Sequence, residues 1–421
     1  AASTHHSCWY RSARLRQRSF ATVLVMRLAL LPYDVVNYLC GFLRIKPWPF
    51  LAAGVTVLAV LATPVFGLQL GWPDAGNRPV ETTERQAYDL LAAGFGDGFN
   101  GPLLLAVDLD TATEPTAALA AITTAVADTP GVQLVVPAQL NPAGDTAVIQ
   151  AIPDSSPQDA ATEELVDHLR TNTIPTLEED TGAVVEVTGT TAAFIDISKR
   201  LSERLMVFIA AVVLLSFVLL TAVFRSPLVA LKAALVNLLG IAAAYGVLVA
   251  VFQWGWGLSL VGLEETVPVV SFLPMMMFAI LFGLSMDYEV FILSRVREDW
   301  LASGDSTGSI VHGIAVSARV ITAAALIMIS VFASFVLGDS PEIKMFGVGL
   351  AVAVALDATI VRMVVVPATM TLLGARNWWI PGWLDRILPR LDIEGETVLP
   401  PPQPNPVPRG DDTLIHQERI P

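Results

Sequence analysis

Long apolar stretches separated by short polar turns dominate this chain, and one long polar insertion interrupts them. The apolar stretches run approximately Phe50–Gly67, Leu205–Phe224, Leu228–Phe252, Val267–Leu293, Ile314–Leu337 and Met345–Leu373. A helix needs about 20 apolar residues to cross a bilayer, so the pattern predicts six transmembrane helices. The insertion, Leu68–Arg204, has the shorter periods of a folded α+β domain. Pro102–Asp108 reads as a strand, and Ala117–Asp128 as a helix stopped by Pro-Gly. Val132–Val136 and Thr146–Ile152 read as two strands joined by a turn-rich Asn-Pro-Ala-Gly-Asp segment. Ser156–Thr171 reads as a helix with a capped Ser-Pro-Gln-Asp start, Ala183–Thr188 as a last strand, and Ala192–Arg204 as a helix feeding the second span. That order, βαββαβ, is the ferredoxin-like pattern. A further helix over Pro79–Phe95 links it to the first span.

Charge distribution orients the spans. Residues 1–49 carry seven Lys/Arg, and Arg225, Lys232, Arg295, Arg297, Arg376, Arg386 and Arg390 flank alternate turns. The opposite turns hold Glu264, Glu265, Asp339 and Glu342, with Lys344 at the membrane edge. By the positive-inside rule both termini are cytoplasmic and the insertion is extracytoplasmic. The insertion has 21 Asp/Glu against six Lys/Arg, enough to account for the whole chain's net charge of −14. Such a surface argues against nucleic acid or anionic headgroups as its partner.

The expected organisation is a basic cytoplasmic lead-in over 1–49, a first span over 50–67 and a porter-like domain over 68–204. A five-helix bundle over 205–373, a juxtamembrane segment over 374–395 and a disordered Pro-rich tail over 396–421 complete it. The Arg-rich start lacks the apolar core and cleavage site of a signal peptide. The sequence begins without Met, as a segment already in progress.

Composition narrows the chemistry. Hydrophobic residues make up 54% of the chain and charged residues 15%, below the ~25% of soluble domains. The two cysteines, Cys8 and Cys40, lack metal-ligand spacing, and the five histidines are scattered apart from His5-His6. No Ser/His or Cys/His catalytic arrangement and no phosphate-binding Gly-rich loop is evident, so the expectation is a non-enzyme with no cofactor and no metal site.

Against this background Asp287 stands out. It lies eight residues before Arg295, roughly 12 Å along a helix at ~1.5 Å per residue. In a hydrocarbon core of about 30 Å that is near the midplane. A carboxylate there costs at least about 2.5–3.5 kcal/mol unless paired, protonated or hydrated, which marks it as functional. Tyr288 points about 100° away and is expected to serve an aspartate on another helix. Glu289 lies on a different face, where a basic residue at the cytoplasmic rim can pair with it. Ser285 supplies a hydroxyl within the helix, and Gly283 permits close helix approach. In span six, Asp357 and Arg362 are five residues apart, about 140° around an α-helix, and not a simple same-face pair. Arg362 is nonetheless placed to neutralise Asp357 or Asp287. Pro268 and Pro274 are expected to kink span four, and Met275–Met277 to act as packing filler or lipid-facing surface.

One apolar helix, an external ferredoxin-like domain and five further helices form the repeat unit of the resistance-nodulation-division superfamily. The stretch Gly283–Arg295 (GLSMDYEVFILSR) resembles the MmpL branch, whose members export lipids and other hydrophobic molecules. Leu356–Pro367 (LDATIVRMVVVP), Gly374–Arg390 (GARNWWIPGWLDRILPR) and Trp48–Gly67 extend the resemblance over residues 44–395. Residues 26–46 resemble instead a stretch of the DedA-like, SNARE-associated membrane proteins.

A complete transporter of this kind carries two units, and this chain resembles the C-terminal one. The resemblance implies Asp-Tyr pairs that meet reciprocally between halves. Asp287 and Tyr288 then form the proton relay, with Ser285, Glu289, Asp357 and Arg362 in possible relay or supporting roles.

The implied function is a multi-pass cell-membrane secondary transporter driven by the proton-motive force. Its expected partners are hydrophobic or lipid-like cargo, membrane lipids, and a second transporter half or a second copy, with no nucleic acid. A cysteine at Ser285 is expected to meet that second copy. The alternatives are a non-transporting assembly partner, a sensor resembling the sterol-sensing relatives, and an inactive gene fragment.

Overall fold

The computed structural model describes residues 47–388. The expectations for the basic lead-in and the Pro-rich tail lie outside these residues. Six helices within them are long and apolar enough to cross a membrane: Pro47–Gly67, Thr190–Phe224, Pro227–Phe252, Leu273–Ser303, Ser306–Leu337 and Pro341–Trp378. We label their helical elements in chain order: α1 (Pro47–Ala62), α6 (Thr190–Phe224), α7 (Pro227–Phe252), α8 (Leu273–Ser303), α9 (Ser306–Ser334), α10 (Pro341–Leu356) and α11 (Val366–Leu373).

The helix α7 is the hub of the bundle. Its most apolar stretch is 61% buried, against 11% for the fifth span. Small residues allow this closeness. A Cβ on Gly246 of α7 would sit 1.9 Å from the Leu61 carbonyl oxygen, and one on Gly313 of α9 would lie 3.0 Å from the Val296 nitrogen. Both backbones therefore approach across their glycines. Gly283 makes no such approach, because a Cβ there would have nothing within 4 Å.

Between the first and second spans lie α2 (Thr83–Phe95), β2 (Leu103–Asp108), α3 (Pro115–Ala127), β3 (Val132–Leu140) and β4 (Thr146–Pro153), then α4 (Ala160–His168), α5 (Ile174–Thr181) and β5 (Val184–Thr188). The strands form an antiparallel sheet in the order β3-β4-β2-β5. Leu103, Leu105 and Val107 alternate into the core with Ile149 and Val185, where Ile122, Val126, Val166 and Leu169 meet them. The period of two along the strands is thus converted into one buried face. The helix read over Ser156–Thr171 starts at Ala160 and runs on to Thr181 through a π-helical turn, Leu169–Thr173. Pro175, which has no N–H to donate, lies just after this turn within the continuous helix.

The fourth span begins later than the hydropathy suggests. Val269–Val270 (β6) is extended and pairs in parallel with Leu70–Gly71 (β1), at the exit of the first span. Pro268 lies before this strand, and Pro274 occupies the first turn of α8, where it removes no internal hydrogen bond. The expected proline kink is therefore absent from α8. The irregular helix is the sixth span, where a π-helical segment, Asp357–Val365, joins α10 to α11.

Outside the membrane helices, Arg85 of α2 ties three segments together. It pairs with Asp89 at 2.8 Å and Glu265 at 3.1 Å, and donates to the Gly76 carbonyl. Glu265, hydrogen-bonded to it, raises the Arg85 pKa. Burial pushes the nearby Tyr88 hydroxyl up to about 12.

Candidate functional site

Three elements bring polar side chains into the apolar bundle: α7 gives Lys232 and Asn237, α8 gives Ser285 and Glu289, and the π-helical segment gives Asp357 and Arg362. Lys232, Asn237, Ser285, Glu289 and Arg362 are all buried. The Asp357 side chain keeps 22% exposure. It faces a cavity of about 20 Å³ lined by Asn237, Gly240, Ser285 and Ala353 among others.

Arg362 organises the cluster. Its Nε donates to Asp357 Oδ2 at 2.7 Å, and its Nη2 donates to the Ser285 carbonyl at 2.7 Å and to Ser285 Oγ at 3.1 Å. Ser285 Oγ lies 2.9 Å from both Asp357 Oδ1 and Asn237 Oδ1. The guanidinium also sits over the Tyr288 ring, 5.1 Å from its centroid. Lys232 Nζ approaches Glu289 Oε1 at 3.1 Å, with both side chains almost wholly buried. Two cations thus face two carboxylates, so the cluster is balanced, as buried charges require.

The sequence-based expectations separate here. Asp357 and Arg362 do share a face, against the reading from α-helical spacing. The i→i+5 hydrogen bonds of a π-helix bring residues five apart towards one side. Glu289 has the basic partner expected of it, and this is Lys232, well inside the packed helix rather than a free rim charge. Ser285 faces inward to Asn237 and Asp357, so a cysteine there would not meet a second copy.

Asp287 is apart from this cluster. It is exposed and makes no hydrogen bond or ion pair among the described residues. Met276, Ile280, Gly283 and Phe291 share its exposed face at helical spacing. Tyr288 is half-buried, and its hydroxyl meets Met328 Sδ at 3.7 Å rather than a carboxylate. Met277 is fully buried against the bundle, whereas Met276 is exposed.

Asn237 was the residue that sequence reasoning missed. The available signal was a second polar residue, five beyond Lys232, inside an otherwise apolar helix. Among the described residues no group of three or more His, Cys, Asp or Glu is placed to hold a metal ion.

Residues 104–390 match the MMPL family. The chain is 41% identical over 366 residues to membrane protein YdfJ of Bacillus subtilis, covering 86% of this chain and 50% of that one. It is 37% identical over 361 residues to the mycolic acid-containing lipids exporter MmpL11 of Mycolicibacterium smegmatis, covering 84% of this chain and 37% of that protein. The trehalose monomycolate exporter MmpL3 of the same species is 31% identical over 384 residues, with coverage of 87% and 37%. The chain therefore spans half or less of the length of these relatives. A match that takes in the sheet domain and five of the six spans places this chain in the MMPL family, of the resistance-nodulation-division superfamily.

Proposed function

We propose that this chain is one unit of a proton-driven exporter of hydrophobic or lipid-like molecules, with Asp287 and Tyr288 as its proton relay. The observation that carries this reading is the Asp287 carboxylate, exposed midway along an apolar helix on a face that no described element covers. A charge held there is costly in lipid, and a titratable group facing a second unit is the arrangement that gives it a use. One charge moved across 100 mV yields about 2.3 kcal/mol, a usable driving force for a conformational cycle. The lipid exporter names of MmpL11 and MmpL3 support the class of cargo.

In this reading the buried cluster plays a supporting part: Arg362 holds Asp357 and Ser285 in place beneath Tyr288, and Lys232 holds Glu289. The βαββαβ domain is ferredoxin-like, a reading that the order β3-β4-β2-β5 favours, and it lies outside the cytoplasm, a reading that the distribution of Lys and Arg between the turns favours. With both termini inside, cysteines at Asp145 and Ser303 label from opposite sides with an impermeant thiol reagent. Labelling from one side overturns this orientation.

The test of function is Asp287→Asn, which keeps the shape of the side chain and removes its titration. Export in cells with equal membrane levels of variant and parent is expected to be lost. Equal export removes Asp287 from the mechanism.

A further inference from the structure

The buried hydroxyl of Ser285 has one hydrogen and two oxygens competing for it. Asn237 Oδ1 and Asp357 Oδ1 each lie 2.9 Å from Ser285 Oγ, while Arg362 Nη2 already donates to that oxygen. A hydroxyl donates once. Two hydrogen-bond patterns satisfy these distances, and they differ by one proton.

In the first, Asp357 is ionised and accepts from Ser285. Asn237 must then turn its Nδ2 towards Ser285 Oγ, since two oxygens 2.9 Å apart need a hydrogen between them. In the second, Asp357 carries a proton on Oδ1 and donates it to Ser285 Oγ. The Ser285 hydroxyl then donates to Asn237 Oδ1, the end of the amide that faces it. In that orientation Asn237 Nδ2 is buried without a partner. The amide's two ends are nearly equal in size, so turning it over exchanges a donor for an acceptor with little change in packing.

The site also has room for a water. The cavity of about 20 Å³ is lined by Asn237, Ser285 and Asp357 together. A water needs about 10–15 Å³ of such space, and two to four polar partners. The charged and titratable groups around Asp357 are Arg362 on its own segment, Glu289 and Tyr288 on α8, and Lys232 on α7. Lys232 and Glu289 compensate each other, which leaves Arg362 and Ser285 as the direct partners of the carboxylate.

We propose that Asn237, Ser285 and Asp357 form a two-state proton relay, in which the Asn237 amide turns over as Asp357 gains or loses a proton. A proton carried by cavity water forms an O–H bond at Asp357 Oδ1 and leaves neutral water behind. The Ser285 hydroxyl turns from Asp357 to Asn237, and Asn237 presents its oxygen. Release runs the same steps backwards, and no other bond changes. The relay rests on the proton-driven reading above, and adds to Asp287 a second titrating carboxylate inside the unit.

Infrared difference spectroscopy between acid and neutral pH tests it, with the full chain in lipid nanodiscs and isotope-labelled asparagine. The expected result is a carboxylic-acid carbonyl band that Asp357→Asn removes and Asp287→Asn retains. An asparagine amide band should change over the same pH range and disappear in Asn237→Leu. An acid band indifferent to Asp357→Asn, or an amide band that does not follow it, overturns the relay. Should Asp357→Asn fail to accumulate, Ser285→Ala serves, because it keeps every charge and breaks the connection. The amide response must then be lost, and its persistence sinks the proposal. The spectra need no transport, so export that ignores a proton gradient would overturn the functional reading separately.

Discussion

Asp357 and Arg362 stand five residues apart and are joined side chain to side chain at 2.7 Å. The π-helical geometry of Asp357–Val365 makes this pairing possible within one span. Such a segment is a departure from the regular helix that is frequently found at functional sites. Here it brings a carboxylate and a guanidinium to the same α8 serine.

Arg362→Met should therefore be strongly destabilising, because it leaves the Asp357 carboxylate without its cation. Breaking one partner of a buried pair typically costs about 3–5 kcal/mol, whereas replacing both can be nearly neutral. The apparent unfolding temperature in detergent is expected to fall for Arg362→Met and to recover in large part for Arg362→Met with Asp357→Leu. A double variant no more stable than the single one would show that the pair is not the source of the loss.

The sequence carried the span count, the βαββαβ order and the polarity of the site, because these depend on local periodicity and composition. Leu103, Leu105 and Val107 alternate, and alternation is visible without knowing a partner strand. What it could not carry depended on contacts between distant segments. The shift of the fourth span's start from Val267 to Leu273 follows from pairing with Leu70–Gly71, two hundred residues earlier in the chain. Likewise, α-helical spacing sets Asp357 and Arg362 on different faces, and a π-helical segment has no strong local signal. Asp287 and Ser285 are two residues apart in the same polar motif. The structure sends one outward and the other into the core, as a helix must for such a spacing.

That divergence gives a second prediction, about the open face of α8. Gly283 is exposed with nothing near it, and lies one turn from Asp287 on the same side. If a second unit covers this face, a cysteine at Gly283 in a background lacking Cys8 and Cys40 should cross-link to its counterpart on mild oxidation. A cysteine at Ser285 should not, being buried against Asn237 and Asp357. Cross-linking through Ser285 but not Gly283 would mean that the face read as open is not the contact.

The last prediction concerns the clip that joins the membrane helices to the sheet domain. Ser271, between β6 and α8, donates from its backbone N–H and its hydroxyl to the Gly71 carbonyl, at 3.0 and 2.9 Å. Its hydroxyl also contacts that of Ser198 on α6. Next to it, Trp72 stacks on Phe194 with ring centroids 4.5 Å apart, and its carbonyl accepts from Gln158 of the sheet domain. The exit of the first span, the start of α8 and the outer part of α6 are thus held at one point. The helix α6 runs unbroken for 35 residues from the sheet domain into the bundle. A displacement of α8 would then be carried outward as a rigid-body motion rather than absorbed by a loop. The two hydroxyl oxygens touch, which puts cysteine sulfurs at these positions within reach of each other. Ser198→Cys with Ser271→Cys should accordingly form a cross-link on oxidation and leave export intact, since the parts it joins move together. Ser271→Ala with Trp72→Ala should instead lower export at equal membrane levels, by loosening the same junction. Export that stops on oxidation and returns on reduction would show that the clip has to open during the cycle.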